Sequence, residues 1–474
     1  MSIISRNSGL IKNTLLLSIG LLIPKIISFV TLPLLTTYLS VKEYGEYDLI
    51  LSLMSLIIPI ITLQIQQAAF RYLIQDKNYS GRSKCVTNSI GYIIISHFIF
   101  LPVLYYLLKM DKNISILICF LVLVQSLYNL IGQIGRGLGK NLIYSYGVIV
   151  YSVFNLILLF ILLNFMNNNL YAVVLALIIS YFASVIFMAI KLRIIDYFKI
   201  ELLSFNEIKK LLRFSIPIIP SSISLWIVNL SDRIIISLFL GVSFNGIYSV
   251  ANKIPLLYSS AYSIFNMAWM ETASIHSDDD DIKEYYSDLF NKLYRFLIGV
   301  LMLLLALSPV IFKVLVNPQY DSAYYQIPLL YVGVFCNSIV SYYAGIYIAM
   351  KRTKQIGYSS ILGAILNIIL NVIFIKYIGL YAASISTAIS YFLISIYRAY
   401  DINKVIKIKY NFSNIISSMI IFAIMSVLYY QRSILCNLVI LIIALVYNIK
   451  ANGELIEIGI DKIRKKLIKR KINI

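Results

Sequence analysis

The chain has 474 residues, of which 60% are hydrophobic and 13% charged, with a formal net charge of +20 and a mean hydropathy of +0.85. That balance excludes a soluble globular fold, in which about a quarter of the residues are charged. It also removes the need for a nucleic-acid partner, because cations gathered beside membrane spans and attracted to anionic headgroups account for most of the charge.

Long apolar stretches follow one another at 10–39, 44–70, 86–108, 114–134, 142–165, 170–191, 212–240, 246–275, 289–312, 326–350, 356–375, 378–400, 413–431 and 434–449. Each is about long enough to cross a hydrocarbon core, and apolarity on all faces leaves helices as the way to satisfy the backbone in lipid. The expected fold is an all-α membrane protein of about fourteen transmembrane helices. Of the 41 lysines and arginines, 32 fall in or beside alternate gaps on one side, Arg398 among them, and 6 on the other, with Lys25, Arg233 and Lys253 deeper inside spans. The positive-inside rule then places both termini in the cytoplasm. The first apolar run is too long for a signal-peptide core and no A-x-A-like site follows it, so the first span is expected to remain.

A repeat organises the spans. Leu39, Val41, Gly45 and Tyr47 recur as Leu240, Val242, Gly246 and Tyr248, displaced by 201 positions. Leu170-Tyr171-Ala172 and Ile179-Ser180-Tyr181-Phe182 recur as Leu380-Tyr381-Ala382 and Ile389-Ser390-Tyr391-Phe392, displaced by 210. The displacement covers six helices, an even number, so two six-helix lobes are expected to share one topology about a pseudo-two-fold axis along the membrane normal. The reading divides the chain into an N-terminal lobe (1–191), a cytoplasmic linker (192–211), a C-terminal lobe (212–400), two extra helices (401–449) and a basic cytoplasmic tail (450–474). The tail is expected to lie on the leaflet as an amphipathic helix. The amphipathic run Leu202 to Leu212 of the linker is expected to ride on the headgroups in the same way.

Catalytic chemistry has little to stand on. Gly132, Gly135, Gly137 and Gly139 precede Lys140, yet a phosphate-binding G-x-x-x-x-G-K-[ST] loop fails at Ile134 and Asn141. His97 and His276 are far apart, and Cys85, Cys119, Cys336 and Cys436 are scattered, so no metal or cofactor is expected. Loops on the outer side are short, against a membrane glycan polymerase or ligase. The chain is read as a transporter and not an enzyme.

Polar groups at membrane depth are the candidate site, because a central cation costs about 2.5–3.5 kcal/mol and usually faces a cavity. Lys25 follows Pro24 near the middle of the first span. Ser222, Trp226, Asn229 and Arg233 follow one another at spacings of 4, 3 and 4, which places them on one helical face, with Asp232 beside the arginine. Lys253 precedes Pro255 in the eighth span. Lys25, Arg233 and Lys253 are read as a cationic cavity, and Ser222, Trp226, Asn229 and Asp232 as polar or ion-coupling groups. Gln64, Gln66, Gln67, Asn266, Asn337, Asn367 and Asn371 are read as hydrogen-bond glue between helices.

Leu32-Pro-Leu-Leu-Thr-Thr-Tyr-Leu-Ser-Val-Lys-Glu-Tyr-Gly-Glu-Tyr47 resembles the end of the first helix and the first outer loop of Wzx-type polysaccharide flippases. Phe214-Ser-Ile-Pro-Ile-Ile-Pro-Ser221, Ser231-Asp-Arg-Ile-Ile-Ile236 and Gly246-Ile-Tyr-Ser-Val-Ala-Asn-Lys-Ile-Pro255 are similar to that family's seventh and eighth helices. The resemblance is loose after about residue 400. It implies the multidrug/oligosaccharidyl-lipid/polysaccharide exporter fold, with two lobes in a V, a central cavity and two extra helices. It also implies a cargo of oligosaccharide on undecaprenyl pyrophosphate, flipped from the cytoplasmic to the outer leaflet of a bacterial inner membrane for O-antigen or capsule assembly. Other polysaccharide-assembly membrane proteins are the implied partners, beside the membrane lipids. The rival within the superfamily is a cation-coupled multidrug exporter, which would need membrane carboxylates for its cargo, whereas the deep charges here are mainly basic.

Overall fold

Side chains that are apolar on every face leave the backbone no polar partner but itself, and the chain answers with helices almost throughout. A computed structural model describes residues 23–108, 111–275 and 281–472, and no strand occurs among them. In chain order the helices are α1 (Ile23–Tyr38), α2 (Val41–Ile61), α3 (Ile65–Gln75), α4 (Tyr79–Leu108), α5 (Lys112–Gly137), α6 (Asn141–Phe165), α7 (Asn169–Leu192), α8 (Ile194–Tyr197) and α9 (Phe205–Ser215). They continue as α10 (Ile219–Phe239), α11 (Val242–Lys253), α12 (Pro255–Ile275), α13 (Ile282–Leu315), α14 (Ile327–Ala349), α15 (Thr353–Ile378), α16 (Tyr381–Asn403), α17 (Phe412–Tyr430) and α18 (Ile434–Ile472).

Ten helical stretches among the described residues are long and apolar enough to cross a membrane. At the positions of three more expected spans lie α10, α12 and α16, of 21, 21 and 23 residues. Residues 10–22 of the first expected span lie outside the described residues.

Two expected spans are interrupted. The stretch 44–70 breaks between α2 and α3, where Pro59 weakens the last turn and Leu63 and Gln64 take left-handed φ of 44° and 58°. The stretch 246–275 breaks between α11 and α12 at Pro255, whose ring cannot continue a helix from the residue before it. At the other end, α18 runs for 39 residues, about 58 Å at 1.5 Å per residue, so the fourteenth span and the basic tail form one helix that outruns the hydrocarbon core. The side chains of 454–456 and 458–474 lie outside the described residues.

The chain divides into two compact units, Met1–Ser249 and Val250–Ile474. The first closes beyond the 192–211 linker because α10 packs along α2. Its core gathers Ile65, Leu73, Val86, Leu130 and Met188 from α3, α4, α5 and α7. The linker is strapped to α4: Thr87 donates to the Tyr197 carbonyl, and Asn88 donates to the Leu202 carbonyl and accepts from the Ser204 amide. Ile208 and Leu211 of α9 are buried, and α9 packs on α3 and α4. Leu203 and Phe205 of the same run are exposed, so protein covers only part of its apolar side.

In the second unit α14 is the central helix, flanked by α12 and α16. Trp269 stacks on Tyr342 at 4.8 Å, and Tyr324 on Tyr429 at 4.2 Å. Arg398 is 1% exposed and donates to the Ser359 and Ser360 hydroxyls and to the Val340 and Ile356 carbonyls. At the end of the expected span 378–400, it is a pin inside the bundle that joins α14, α15 and α16.

Candidate functional site

The two copies of the repeated motif meet. Gly45 of α2 lies against the Val242 carbonyl, and Gly246 of α11 lies against the Val41 carbonyl; a Cβ at either glycine would overlap that oxygen. The four positions are related by the same displacement of 201, so the contact is reciprocal about a local two-fold axis. Glycine is required twice, because only its missing Cβ lets two helix backbones approach this closely.

One turn further along, the symmetry is broken by chemistry. Asp48 and Ser249 occupy equivalent positions, and the Ser249 hydroxyl donates to Asp48 Oδ1 at 2.6 Å. Asp48 Oδ2 accepts from Arg233 Nε at 2.8 Å and from Asn245 Nδ2 at 3.3 Å. Asn245 also donates to the Gly45 carbonyl at 3.0 Å. The side chains of Arg233 and Asp48 are 13% and 12% exposed, so the ion pair is largely removed from solvent and its lone pairs are met by three donors.

The polar face of α10 is ordered by the same partner. Trp226 donates from its indole nitrogen to the Ser52 carbonyl at 2.7 Å, and Ser222 accepts from Gln64 Nε2 at 2.9 Å. Gln64 in turn accepts from Gln66. Ser222, Trp226 and Arg233 thus form a seam along α2 and the break after it. Asp232 is 5% exposed and accepts from the Tyr248 hydroxyl at 3.0 Å. The side chain of Asn229 lies outside the described residues. Lys25 stands exposed on α1, and Lys253 is half-buried at the end of α11, in the second unit.

Asp48 is the residue that the sequence reading passed over. It follows the first motif directly, and a carboxylate inside an apolar run opposite a serine in the second copy is the signal that marks it. Arg233 is consequently a charge-balanced group.

Among known proteins, a family model described as "Polysaccharide biosynthesis protein" matches residues 10–270. A probable low-salt glycan biosynthesis flippase, Agl15, from Haloferax volcanii is 23% identical over 215 residues, 45% of this chain. The match spans 46% of that relative, so the chain covers about half the length of the curated relative it matches. Among solved structures, the lipid II flippase MurJ in an inward closed conformation superposes with a TM-score of 0.70 at 16% identity, over 93% of this chain and all of that one. An inward-facing multidrug resistance MATE family transporter of the MOP superfamily gives 0.66 at 14% identity, over 80% of this chain and 96% of the other. The fold is that of these two-lobed, multi-pass membrane proteins. With more than half of its length matched, the chain belongs to the polysaccharide biosynthesis protein family.

Proposed function

We propose that the protein is a lipid-linked oligosaccharide flippase. It carries an oligosaccharide on undecaprenyl pyrophosphate from the cytoplasmic to the outer leaflet of a bacterial cytoplasmic membrane by alternating access, supplying O-antigen or capsule assembly, with both termini in the cytoplasm. The family match over residues 10–270 carries this reading. The named relatives support it, since two of them are themselves called flippases.

Charge supports the same cargo. A pyrophosphate crossing a low-dielectric layer needs positive charge along its route, and Lys25 and Lys253 supply it, with Arg233 held in place by Asp48. The prenyl chain remains in lipid. An ion gradient or the membrane potential drives the step. In this reading the duplicated lobes of the sequence, 1–191 and 212–400, rock against one another to open the route to one leaflet at a time.

The drug-exporter reading is weaker. It asks for a carboxylate open to a cationic cargo, whereas Asp48 accepts from Arg233, Asn245 and Ser249 and Asp232 accepts from Tyr248. Deleting the gene tests the proposal: undecaprenyl-linked oligosaccharide should accumulate in the cytoplasmic leaflet, where it resists a membrane-impermeant glycan label in intact spheroplasts. Unchanged labelling would overturn it.

A further inference from the structure

The second unit contains a cavity that the transport reading does not use. About 340 Å³ opens between α13, α14, α16 and α17, within the usual range for a small-ligand site. Its deep wall is formed by Phe290, Tyr294, Phe335, Cys336 and Tyr343, each 4% exposed or less. The hydroxyls on that wall are engaged elsewhere: Tyr294 bonds Ser418 and Tyr343 donates to Tyr410. What remains for an occupant is hydrocarbon-like surface. The rim is exposed and apolar, with Phe392, Ile396 and Phe412, as befits a slot that opens sideways into lipid. A second cavity of about 310 Å³ shares Phe335 and Met419 with it and continues the slot along α17.

Polarity is confined to one end. Asn403, Tyr400 and Tyr410 line the slot where α16 gives way to the connection to α17. That connection carries Lys404, Lys407 and Lys409, all exposed, and no acidic residue. Lys404 lies over the Tyr400 ring at 4.5 Å. The carboxylate nearest in sequence, Asp401, is met by Arg352 at 3.4 Å and by the Tyr347 hydroxyl at 2.9 Å, and Asp288 of α13, beside the Ser287 that accepts from the Lys409 amide, is paired with Lys292 at 2.8 Å. At the far end, past Tyr430, Arg432 pairs with Asp321 at 2.8 Å.

We propose that this slot is a binding site for one resident anionic phospholipid of the lysine-rich leaflet. An acyl chain fills the aromatic cavity and the phosphate sits against Lys404, Lys407 and Lys409. Cations at one end only suit a lipid that stays in one leaflet; a cargo whose headgroup crosses would need them along the way. Each lysine near a membrane surface attracts an anionic headgroup, so three together favour an anionic over a zwitterionic lipid by at least about tenfold.

The test uses the purified full chain in detergent, with native mass spectrometry counting bound lipid after addition of phosphatidylglycerol, phosphatidylcholine or undecaprenyl phosphate of matched concentration. One phosphatidylglycerol should be retained at least about tenfold better than phosphatidylcholine. The triple variant Lys404→Gln, Lys407→Gln, Lys409→Gln should lose that preference, and Ala399→Trp, which fills the slot, should release both phospholipids. Phosphatidylglycerol with a photoactivatable acyl chain gives a reading independent of variant folding: in the unaltered protein its crosslinks should concentrate in 392–403 and 410–419. Equal retention of the two phospholipids, crosslinks scattered over the chain, or displacement of phosphatidylglycerol by undecaprenyl phosphate would each overturn the proposal.

Discussion

Gly45 and Gly246, 201 positions apart, sit in the same place in two copies of one motif, and each is pressed against a valine carbonyl of the other copy. The contact makes a geometric demand that alanine cannot meet. Overpacking commonly costs about 1–3 kcal/mol, and a backbone carbonyl within a helix has little freedom to retreat. Gly45→Ala and Gly246→Ala should each lower the melting temperature of the purified protein and remove most glycan export. Gly357→Ala is the control, because nothing lies within 4 Å of a Cβ there. It should be neutral or stabilising.

Asp48 and Arg233 should behave as a coupled pair. Removing one partner leaves a buried charge uncompensated, which costs about 3–5 kcal/mol, while removing both replaces the pair with neutral surface. Asp48→Ala should therefore destabilise the protein more than the double variant Asp48→Ala, Arg233→Leu does, with a coupling energy of at least about 1 kcal/mol in a double-mutant cycle. Additive effects would mean that the ion pair contributes nothing to the meeting of α2 and α10.

Lys25 is the cation whose loss should show in transport more than in stability. Lys25→Ala should reduce export while protein abundance stays unchanged, and Lys25→Arg should retain more activity because the charge remains. Export measured in cells with quantified protein separates the two effects. Full activity of Lys25→Ala would remove this lysine from the route.

Arg398 makes an opposite prediction. Its guanidinium satisfies two hydroxyls and two carbonyls from two neighbouring helices at once. An ammonium cannot reproduce that fork, so Arg398→Lys should cost about 1–3 kcal/mol in thermal stability despite keeping the charge. A melting curve that matches the unaltered protein would contradict the role assigned to it.

Topology can be read with reporter fusions. Those after Lys84, Arg213, Lys354 and Lys450 should report cytoplasm, and those after Lys112 and Gln319 the outer side, as the cation distribution requires. A cytoplasmic signal at Gln319 would reverse the assignment of the second half.

The helical class and the repeat were legible in the sequence because both rest on long-range regularities: apolar runs of membrane length, and Val41 and Gly45 recurring as Val242 and Gly246. The breaks were not. Hydropathy is blind to the left-handed turn at Leu63 and Gln64, although Pro59 and three nearby glutamines mark it. The role of Arg398 was hidden because apolarity ends beside it, and only tertiary contacts distinguish a pinned arginine from a loop cation. Asp48 was hidden for a related reason, since the partners that define it lie about 200 residues away in sequence. In the amphipathic α9 the sequence shows an apolar face but not that Ile208 and Leu211 pack on protein while Phe205 stays exposed.

The most direct test of the central claim is reconstitution. Purified protein in vesicles carrying fluorescent undecaprenyl-pyrophosphate oligosaccharide in the inner leaflet should render the glycan accessible to an external membrane-impermeant glycosidase, at a rate that rises with protein density and falls in Lys25→Ala. Protein-free vesicles should show no such exposure, and a cationic dye should not be carried. Glycan that stays inaccessible under an imposed ion gradient and membrane potential, or dye transport in its place, would contradict the account.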